Sequence, residues 1–450
     1  MELDMTKGSP AKLILKFIIP VILGNIFQQL YNVVDTIIVG QFVGVEALAA
    51  VGATGTICFL IMGFTGGLTS GFTVMVSQRF GAGDREGVKQ SVGSAYILSI
   101  LVTIIMTTIS ILGMDWLLTI MQTPEDIYNM SKEYIIVICL GLGLNILYNL
   151  LSSMMRAVGN SKVPLYFLIL SAFLNVVLDL VFIIVFKMGV AGAAWATIVS
   201  QGVSGLLCLI YIVKKVPVLQ IERKHLILDK WCVHNQLSLG IPMALQYSIT
   251  AVGSIMVQTT LNMLGSTVVA AYTVAGKAEQ FVTQVYGAMG MTMSTYAAQN
   301  RGVGDVERIK KGAKIAFWMT TVYSIVVFIA LEAALPWVVQ LFVAGDISDV
   351  IGYARTYVTI CGVAFSGLGA IFIYRNVLQG CGYGFLPMMG GVLELVCRGI
   401  IAVISAYFMS YAGVCCANGV TWIVTALYLW ICYKYTMKTK VVMMENKALD

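Results

Sequence analysis

Six ionisable side chains lie inside long apolar stretches of the sequence. They are four acids and two bases: Asp35, Asp179, Glu279, Glu394, Lys277 and Arg398. A charged group at the centre of an apolar helix in a bilayer costs at least ~2.5 kcal/mol, so such residues are kept for pairing, ion binding or transport. The chemistry these residues favour is the binding and release of ions.

The acids Asp35 and Asp179 have no Lys or Arg within one helical turn of them in the sequence. Polar side chains occur at helical spacing around them: Tyr31 is four residues before Asp35, Asn175 is four before Asp179, and Thr197 lies on the next helix. If these faces converge, they form an oxygen-lined pocket for Na⁺ or a carboxyl pair that holds a proton. The alternative is that each acid hydrogen-bonds backbone near a kink or reaches an interface.

The other four charges have simpler interpretations. Glu394 and Arg398 are spaced i, i+4 and are predicted to form a structural ion pair inside the membrane. Lys277 and Glu279 are two residues apart and point to different faces of one helix, so Glu279 is a candidate for substrate binding. Met289 and its neighbouring methionines are either adaptable lining for apolar drugs or ordinary core.

The elements that must position these residues follow from composition. Of the 450 residues, 59% are hydrophobic and 11% are charged, whereas about 25% are charged in a typical soluble domain. The chain is therefore predicted to be an all-α polytopic membrane protein with twelve transmembrane helices. The apolar stretches are 13–39, 47–77, 90–113, 134–155, 163–186, 189–213, 236–262, 267–298, 312–336, 351–379, 385–409 and 412–435.

The two halves of the chain repeat each other at a nearly constant offset. The offset is 221 between the turns at 78–84 and 299–305, 222 between Pro20 and Pro242, and 223 between Gly159 and Gly382. This pattern predicts an N-terminal six-helix lobe at 1–215, a cytoplasmic linker at 216–235 and a C-terminal six-helix lobe at 236–450. With six helices in each repeat, the lobes are related by a pseudo-two-fold axis along the membrane normal.

Basic residues gather on one side of this helix pattern. With the N-terminus inside, the cytoplasmic segments contain 23 of the 28 Lys and Arg residues. Only Lys132, Lys187 and Arg355 lie on the extracellular side, and the other two, Lys277 and Arg398, lie at membrane depth. By the positive-inside rule, both termini are predicted to be cytoplasmic. The net charge of +6 then reflects topology and attraction to the lipid bilayer, and no nucleic-acid partner is expected.

These features together resemble the multidrug and toxic compound extrusion (MATE) family, of the bacterial and archaeal type. The resemblance depends on the segment 34–37 around Asp35, on the two Gln-x-x-Gly-x-Gly-Asp turns, and on Asn175 and Asp179 followed by Thr197. These side chains resemble the cation site in the N-terminal lobe of the family, which implies coupling roles for them. The family resemblance also places Tyr31 and Tyr134 at positions within the lobe.

The sequence also departs from the family pattern. Where an Asn is usual on helix four, this chain has Ser152, with Asn149 nearby, and both join Tyr134, Glu279 and Met289 as candidate substrate-binding residues. At the position of an essential Glu on helix seven in another branch, this chain has Thr250. We therefore expect ion coupling to be confined to the first half.

The resemblance implies a secondary active antiporter of the cytoplasmic (inner) membrane. Such a protein exports small organic cations and drugs in exchange for H⁺ or Na⁺, needs no cofactor, and is expected here to act as a monomer. A flippase for a lipid-linked or amphipathic precursor, from the same superfamily, is the alternative. An enzyme is not expected, because the two His lie in one linker and no HExxH or Ser/His pattern is present.

Overall fold

The structure, a computed structural model, describes residues 3–342 and 348–439, and this part of the chain is almost entirely helical. Helices are favoured because in hydrocarbon each backbone N–H and C=O must be bonded within its own segment. The α-helices are α1 (Pro10–Phe42), α2 (Val45–Gly81), α3 (Arg85–Leu112), α4 (Met114–Ile120), α5 (Glu125–Leu140), α6 (Leu142–Ala157), α7 (Lys162–Leu180), α8 (Gly189–Lys215), α9 (Lys230–Asn262), α10 (Ser266–Gly302), α11 (Val306–Phe342), α12 (Ser348–Val363), α13 (Phe365–Gly380), α14 (Phe385–Tyr407) and α15 (Tyr411–Thr439).

The predicted all-α membrane fold is confirmed. Within the described residues, nine helices are long and apolar enough to cross a membrane, and two bent helix pairs bring the number to eleven. The remaining long helix, α10, is 37 residues long, as α2 is, but it includes the charged residues Lys277 and Glu279. Counting α10 as a span gives the twelve predicted helices.

Two of the predicted helices are broken in the middle. The stretch predicted at 134–155 is α5 and α6, which are bent by 48°, and the stretch predicted at 351–379 is α12 and α13, which are bent by 46°. At the first break, a Cβ on Gly141 would lie 2.2 Å from Cγ2 of Ile198 on α8. The break therefore lies where α8 packs directly against the backbone. The sequence analysis missed these bends because hydropathy reports length and not direction.

The chain forms two compact units. Within the described ranges, unit 1 comprises Met1–Asp4 and Ile19–Tyr247, and unit 2 comprises Met5–Ile18 and Ser248–Asp450. Helices α1 and α9 are each divided between the units, and each contains a proline, Pro20 or Pro242, within a few residues of the division. Proline removes one backbone hydrogen bond from a helix, so both dividing points have a weakened helical ladder.

The repeated Gly-x-Gly-Asp turns form the helix connections that the sequence predicts. Gly83 and Gly304 adopt φ values of 74° and 73°, which glycine reaches without steric cost. The carboxylate of Asp84 then accepts a hydrogen bond from the backbone N–H of Gly87, and that of Asp305 from Arg308, each at 2.8 Å. These aspartates cap α3 and α11 by satisfying amides that have no partner within the helix.

Residues 216–229 link α8 to α9 and pack against α3 within unit 1. Ser94 Oγ donates to the carbonyl of Ile227 at 3.0 Å, and the buried ring of His225 lies 2.9 Å from Glu86 Oε1. Asp229 Oδ1 accepts from the backbone N–H of Cys232, and this bond holds the pKa of the Asp229 carboxyl below its usual range. Helix α9 thus begins at Lys230, inside the stretch predicted as linker.

Small residues bring α2 and the first half of α9 into backbone contact within unit 1. A Cβ on Gly71 would lie 2.4 Å from Cα of Gly240, and one on Gly67 would lie 2.7 Å from Cα of Ala244. Each helix thus presents small residues four positions apart. This spacing lets helices in membranes approach closely, where packing replaces the hydrophobic driving force.

Replacing Gly71 by Val is expected to destabilise the protein by about 1–3 kcal/mol, because the added side chain overlaps the backbone of α9. The measurement is the thermal unfolding midpoint of the purified protein in detergent. Gly66→Val is the matched control, since a Cβ on Gly66 meets no atom within 4 Å. Equal midpoints for the two variants would contradict the close α2–α9 contact.

Candidate functional site

The two acids singled out in the first half meet inside unit 1. Asp35 on α1 and Asp179 at the end of α7 are both buried, and their carboxyl groups lie close enough to interact with each other. An ionised carboxylate only accepts hydrogen bonds, so two adjacent carboxyl groups can bond directly only when one of them carries a proton. Two buried acids this close to each other therefore call for a shared proton or another positive charge.

Local helix structure places Asp179 at this point. Helix α7 ends at Leu180, and Val181–Val185 form a π-helical turn directly after it. Short π segments are rare and often occur at functional sites, because the wider turn redirects side chains and loosens the backbone ladder. Asn175 lies one turn before Asp179 and is fully buried on the same face.

Neutral oxygen and amide groups surround the carboxyl pair. Asn175 Nδ2 donates to Thr197 Oγ1 on α8 at 3.4 Å. The hydroxyl of Tyr31 on α1 lies beside the side chains of Thr197 and Gln201. The structure therefore brings together Tyr31, Asp35, Asn175, Asp179 and Thr197, the five residues predicted to couple cations.

Gln201 connects this cluster to α6, and the sequence analysis did not identify it. Asn145 Nδ2 donates to Gln201 Oε1 at 2.8 Å, and Asn149 Nδ2 donates to Asn145 Oδ1 at 3.0 Å. The i, i+4 spacing in the sequence does indicate these residues, because Gln201 follows Thr197 by one helical turn and Asn145 precedes Asn149 by one. The polar network thus spans α1, α6, α7 and α8.

The carboxyl group of Asp35 has an oxygen atom without a hydrogen-bond partner. Asp35 Oδ1 is buried and has no hydrogen-bond partner among the described residues. A buried acceptor that lacks a partner costs about 1–3 kcal/mol, and more when it is charged. A small positive ion or a further proton at Asp35 would remove that cost.

The donor set suits a singly charged ion better than a transition metal. In the described part of the chain, no group of three or more His, Cys, Asp or Glu side chains could hold a metal ion. The site offers two carboxyl groups with the amide oxygen of Asn175 and the hydroxyl of Thr197, which are the hard oxygen ligands that alkali and alkaline-earth cations prefer. Na⁺ and H⁺ both match this set.

A second polar cluster lies in unit 2 and has different chemistry. Tyr357 on α12 donates its hydroxyl hydrogen to Glu279 on α10. Asn418 Nδ2 on α15 donates to the hydroxyls of Tyr357 and Tyr272, at 3.4 and 3.3 Å. Lys277 is exposed and points away, as the spacing predicts. Glu279 is thus oriented by a tyrosine that is itself held by an amide.

Glu394 has two basic neighbours in unit 2. Its carboxylate accepts a hydrogen bond from Arg375 on α13, and its other oxygen lies 3.9 Å from Nη2 of Arg398 on α14. The predicted partners are therefore in contact, but Arg375 is the nearer one. Arg375 approaches from a second helix, and i, i+4 spacing predicts only partners that lie on the same helix.

A family model described as MatE matches residues 20–181 and 242–408, which is well over half of the chain. The chain belongs to the MATE family. The two matched ranges fall in the two halves of the sequence, as the repeat at an offset of about 222 predicts.

Known MATE proteins are similar along most of this chain. It is 28% identical over 352 residues to the probable multidrug resistance protein YoeA of Bacillus subtilis, covering 76% of each chain. It is 25% identical over 435 residues to YpnP of the same organism, also a probable multidrug resistance protein, covering 96% of each. It also resembles a solved outward-facing multidrug resistance MATE family transporter, with a TM-score of 0.91 and 22% identity, over 97% of this chain and 98% of that one. That structural likeness shows the shared fold.

Among the residues predicted to bind substrate, most are covered by protein. Tyr134, Ser152 and Met289 are buried, and Ser152 Oγ accepts a hydrogen bond from Nη1 of Arg156 at 2.7 Å. Asn149 and Glu279 are only partly buried. The substrate role of all five stays a prediction, and in this conformation Asn149 and Glu279 are the accessible candidates.

Glu394→Gln is expected to destabilise unit 2 by about 3–5 kcal/mol, because it leaves the buried guanidinium groups of Arg375 and Arg398 beside a neutral amide. The measurement is again the thermal midpoint in detergent. Glu307→Gln is the control, since Glu307 forms an exposed ion pair with Lys310, a class worth about 0–1 kcal/mol. A similar small loss in both variants would show that the pair around Glu394 is not structural.

Proposed function

We propose that this MATE protein is a secondary active antiporter that exports organic cations and drugs across the cytoplasmic membrane. The exchanged ion is H⁺ or Na⁺, and both termini are cytoplasmic, as the distribution of basic residues predicts. The observation that carries this proposal is the buried pair of adjacent carboxyl groups of Asp35 and Asp179 within unit 1. Two acids in an apolar lobe are stable only when positive charge accompanies them.

Competition for this negative charge explains exchange. An organic cation and the coupling ion both reduce the unfavourable free energy of burying the carboxyl pair. Binding of one therefore lowers the affinity of the site for the other. A ligand shifts a conformational equilibrium only through different affinities for the two states. If the inward- and outward-open states favour different occupants, alternation between them exports the drug and imports the ion.

The close approach of the two carboxyl groups favours a proton as the coupling ion. One shared proton stabilises such a pair without any other ligand. Na⁺ would instead have to separate the carboxyl groups and draw on the oxygens of Asn175 and Thr197. Tyr31 then acts as a positioning residue, because its hydroxyl lies beside both Thr197 and Gln201.

Other features support the proposal. Two relatives are named as probable multidrug resistance proteins, which favours small molecules as substrates. Pro20 on α1, fifteen residues before Asp35, is the bending point that links the charge of Asp35 to the shape of α1 in this proposal. The protein is proposed to act as a monomer without a cofactor. The flippase alternative predicts transport of a lipid-linked precursor that does not depend on Asp35.

Asp35→Asn and Asp179→Asn are each expected to reduce ion-driven efflux by roughly tenfold or more, because coupling free energies of about 1–3 kcal/mol correspond to 5–150-fold. The measurement is efflux of a fluorescent organic cation from proteoliposomes with an imposed ion gradient. Glu46→Gln is the matched control, an exposed acid in the first turn of α2. Full efflux by the Asp35 variant would refute the coupling role.

Separate sodium and proton gradients distinguish the two coupling ions. A proton gradient alone is expected to drive efflux, and Thr197→Val is expected to keep most of that activity, because the carboxyl pair remains intact. If a sodium gradient drives efflux without a pH difference, and Thr197→Val abolishes it, the ion is Na⁺. That result would overturn the preference for the proton while preserving the role of Asp35.

A further inference from the structure

A basic cavity of about 470 Å³ lies in unit 2 between the start of α11 and the end of α15. Four lysines line it: Lys310 and Lys314 from α11, and Lys434 and Lys438 from α15. Its remaining wall is largely aromatic. Trp318 and Trp430 line it and are 58% and 43% exposed, which is high for tryptophan in a folded protein.

Most of the positive charge in this cavity is not paired in a salt bridge within the described part of the chain. Lys310 is paired with Glu307 at 2.6 Å, and Lys434 lies over the ring of Trp430 at 5.6 Å. Among the described residues, no salt bridge involves Lys314, Lys434 or Lys438. Three ammonium groups therefore share one cavity whose described lining residues include no Asp or Glu.

In unit 1, the position equivalent to this cavity is covered by the linker, and its lysine has a carboxylate partner. At the offset of 221, Lys310 corresponds to Lys89 and Lys314 corresponds to Gly93. Glu222 from the linker lies 3.7 Å from Lys89. A Cβ on Gly93 would lie only 2.0 Å from the carbonyl oxygen of His225, so the linker covers α3 there. In unit 1 the chain itself supplies both the carboxylate and the cover.

Unit 2 differs from unit 1 both in the cover of this position and in its carboxylate partner. Where Gly93 lets the linker cross α3, the longer and charged Lys314 faces the cavity, and α15 adds Lys434 and Lys438. The described part of the chain places no carboxylate opposite these three lysines. The cavity is thus complementary to an anion that also has an apolar portion to contact the tryptophans.

We propose that this cavity binds the headgroup of an anionic phospholipid. On the predicted orientation, the start of α11 and the end of α15 face the cytoplasmic leaflet, where anionic lipids are attracted by basic residues near the membrane surface. Tryptophan prefers the same interfacial depth, because one end of its ring system is apolar and the other is polar. The lysines contact the phosphate, and the exposed rings contact the glycerol and upper acyl chains.

The test uses the full-length purified protein and measures retention of added phosphatidylglycerol by native mass spectrometry, with phosphatidylcholine as the neutral lipid. The triple variant Lys314→Gln/Lys434→Gln/Lys438→Gln is expected to lose one retained phosphatidylglycerol. Each lysine removed is expected to weaken binding by roughly fivefold. The triple Lys→Arg variant is expected to retain the lipid, and it shows that charge and not folding is responsible.

Lys214→Gln/Lys215→Gln is the control, because these exposed lysines end α8 in unit 1 and lie outside the cavity. The proposal is overturned if this control loses the same lipid, if phosphatidylcholine is retained equally well, or if inorganic phosphate displaces phosphatidylglycerol at equal concentration. It is also overturned if a chain ending at Thr439 binds phosphatidylglycerol much more tightly, since the anionic residues beyond it would then be the occupant. All these readouts are independent of transport.

Discussion

The close approach of two buried carboxyl groups inside an apolar lobe is the constraint on which the rest of this structure depends. Asp35 and Asp179 cannot both be ionised at this distance without a positive partner, because like charges in a medium of low dielectric repel strongly. The neighbouring side chains Asn175 and Thr197, which are hydrogen-bonded to each other, contribute dipoles and no charge. On the proposed mechanism, the missing positive charge is supplied by a mobile ion. The unfavourable free energy of burying two acids is therefore used for transport.

The duplicated scaffold has kept its geometry and changed its chemistry. At the repeat offsets, Tyr357 corresponds to Tyr134, but its partner Glu279 corresponds to Cys58, and Arg398 corresponds to Asn175. A Cβ on Gly253, the equivalent of Tyr31, would lie 3.3 Å from Cδ of Arg398. The arginine therefore passes where the first repeat has a tyrosine. In unit 2 the positive charge is part of the protein, as the guanidinium of Arg398, at the position where unit 1 has the neutral amide of Asn175.

The sequence predicts features that depend on one helix at a time. Hydropathy locates the helices, glycine and aspartate locate the turns at Gly83 and Gly304, and i, i+4 spacing places Asn175 beside Asp179. Features that depend on two helices were missed. Arg375 reaches Glu394 from α13, and Gln201 receives a hydrogen bond from Asn145 on α6. The bend at Gly141 follows from contact with Ile198 on α8, which no local pattern reports.

The repeat comparison also limits the number of charges that one transport cycle can exchange. The equivalents of Asp35 and Asp179 in the second half are Val257 and Ala402, so unit 2 does not contain a second pair of this kind. Its acid Glu394 is bound by Arg375, and Arg398 acts electrostatically on Glu279. A pair of carboxyl groups carries at most two negative charges, so it binds at most two monovalent cations. On the proposed mechanism, one cycle therefore exchanges no more than two such ions for the drug, and both bind in unit 1.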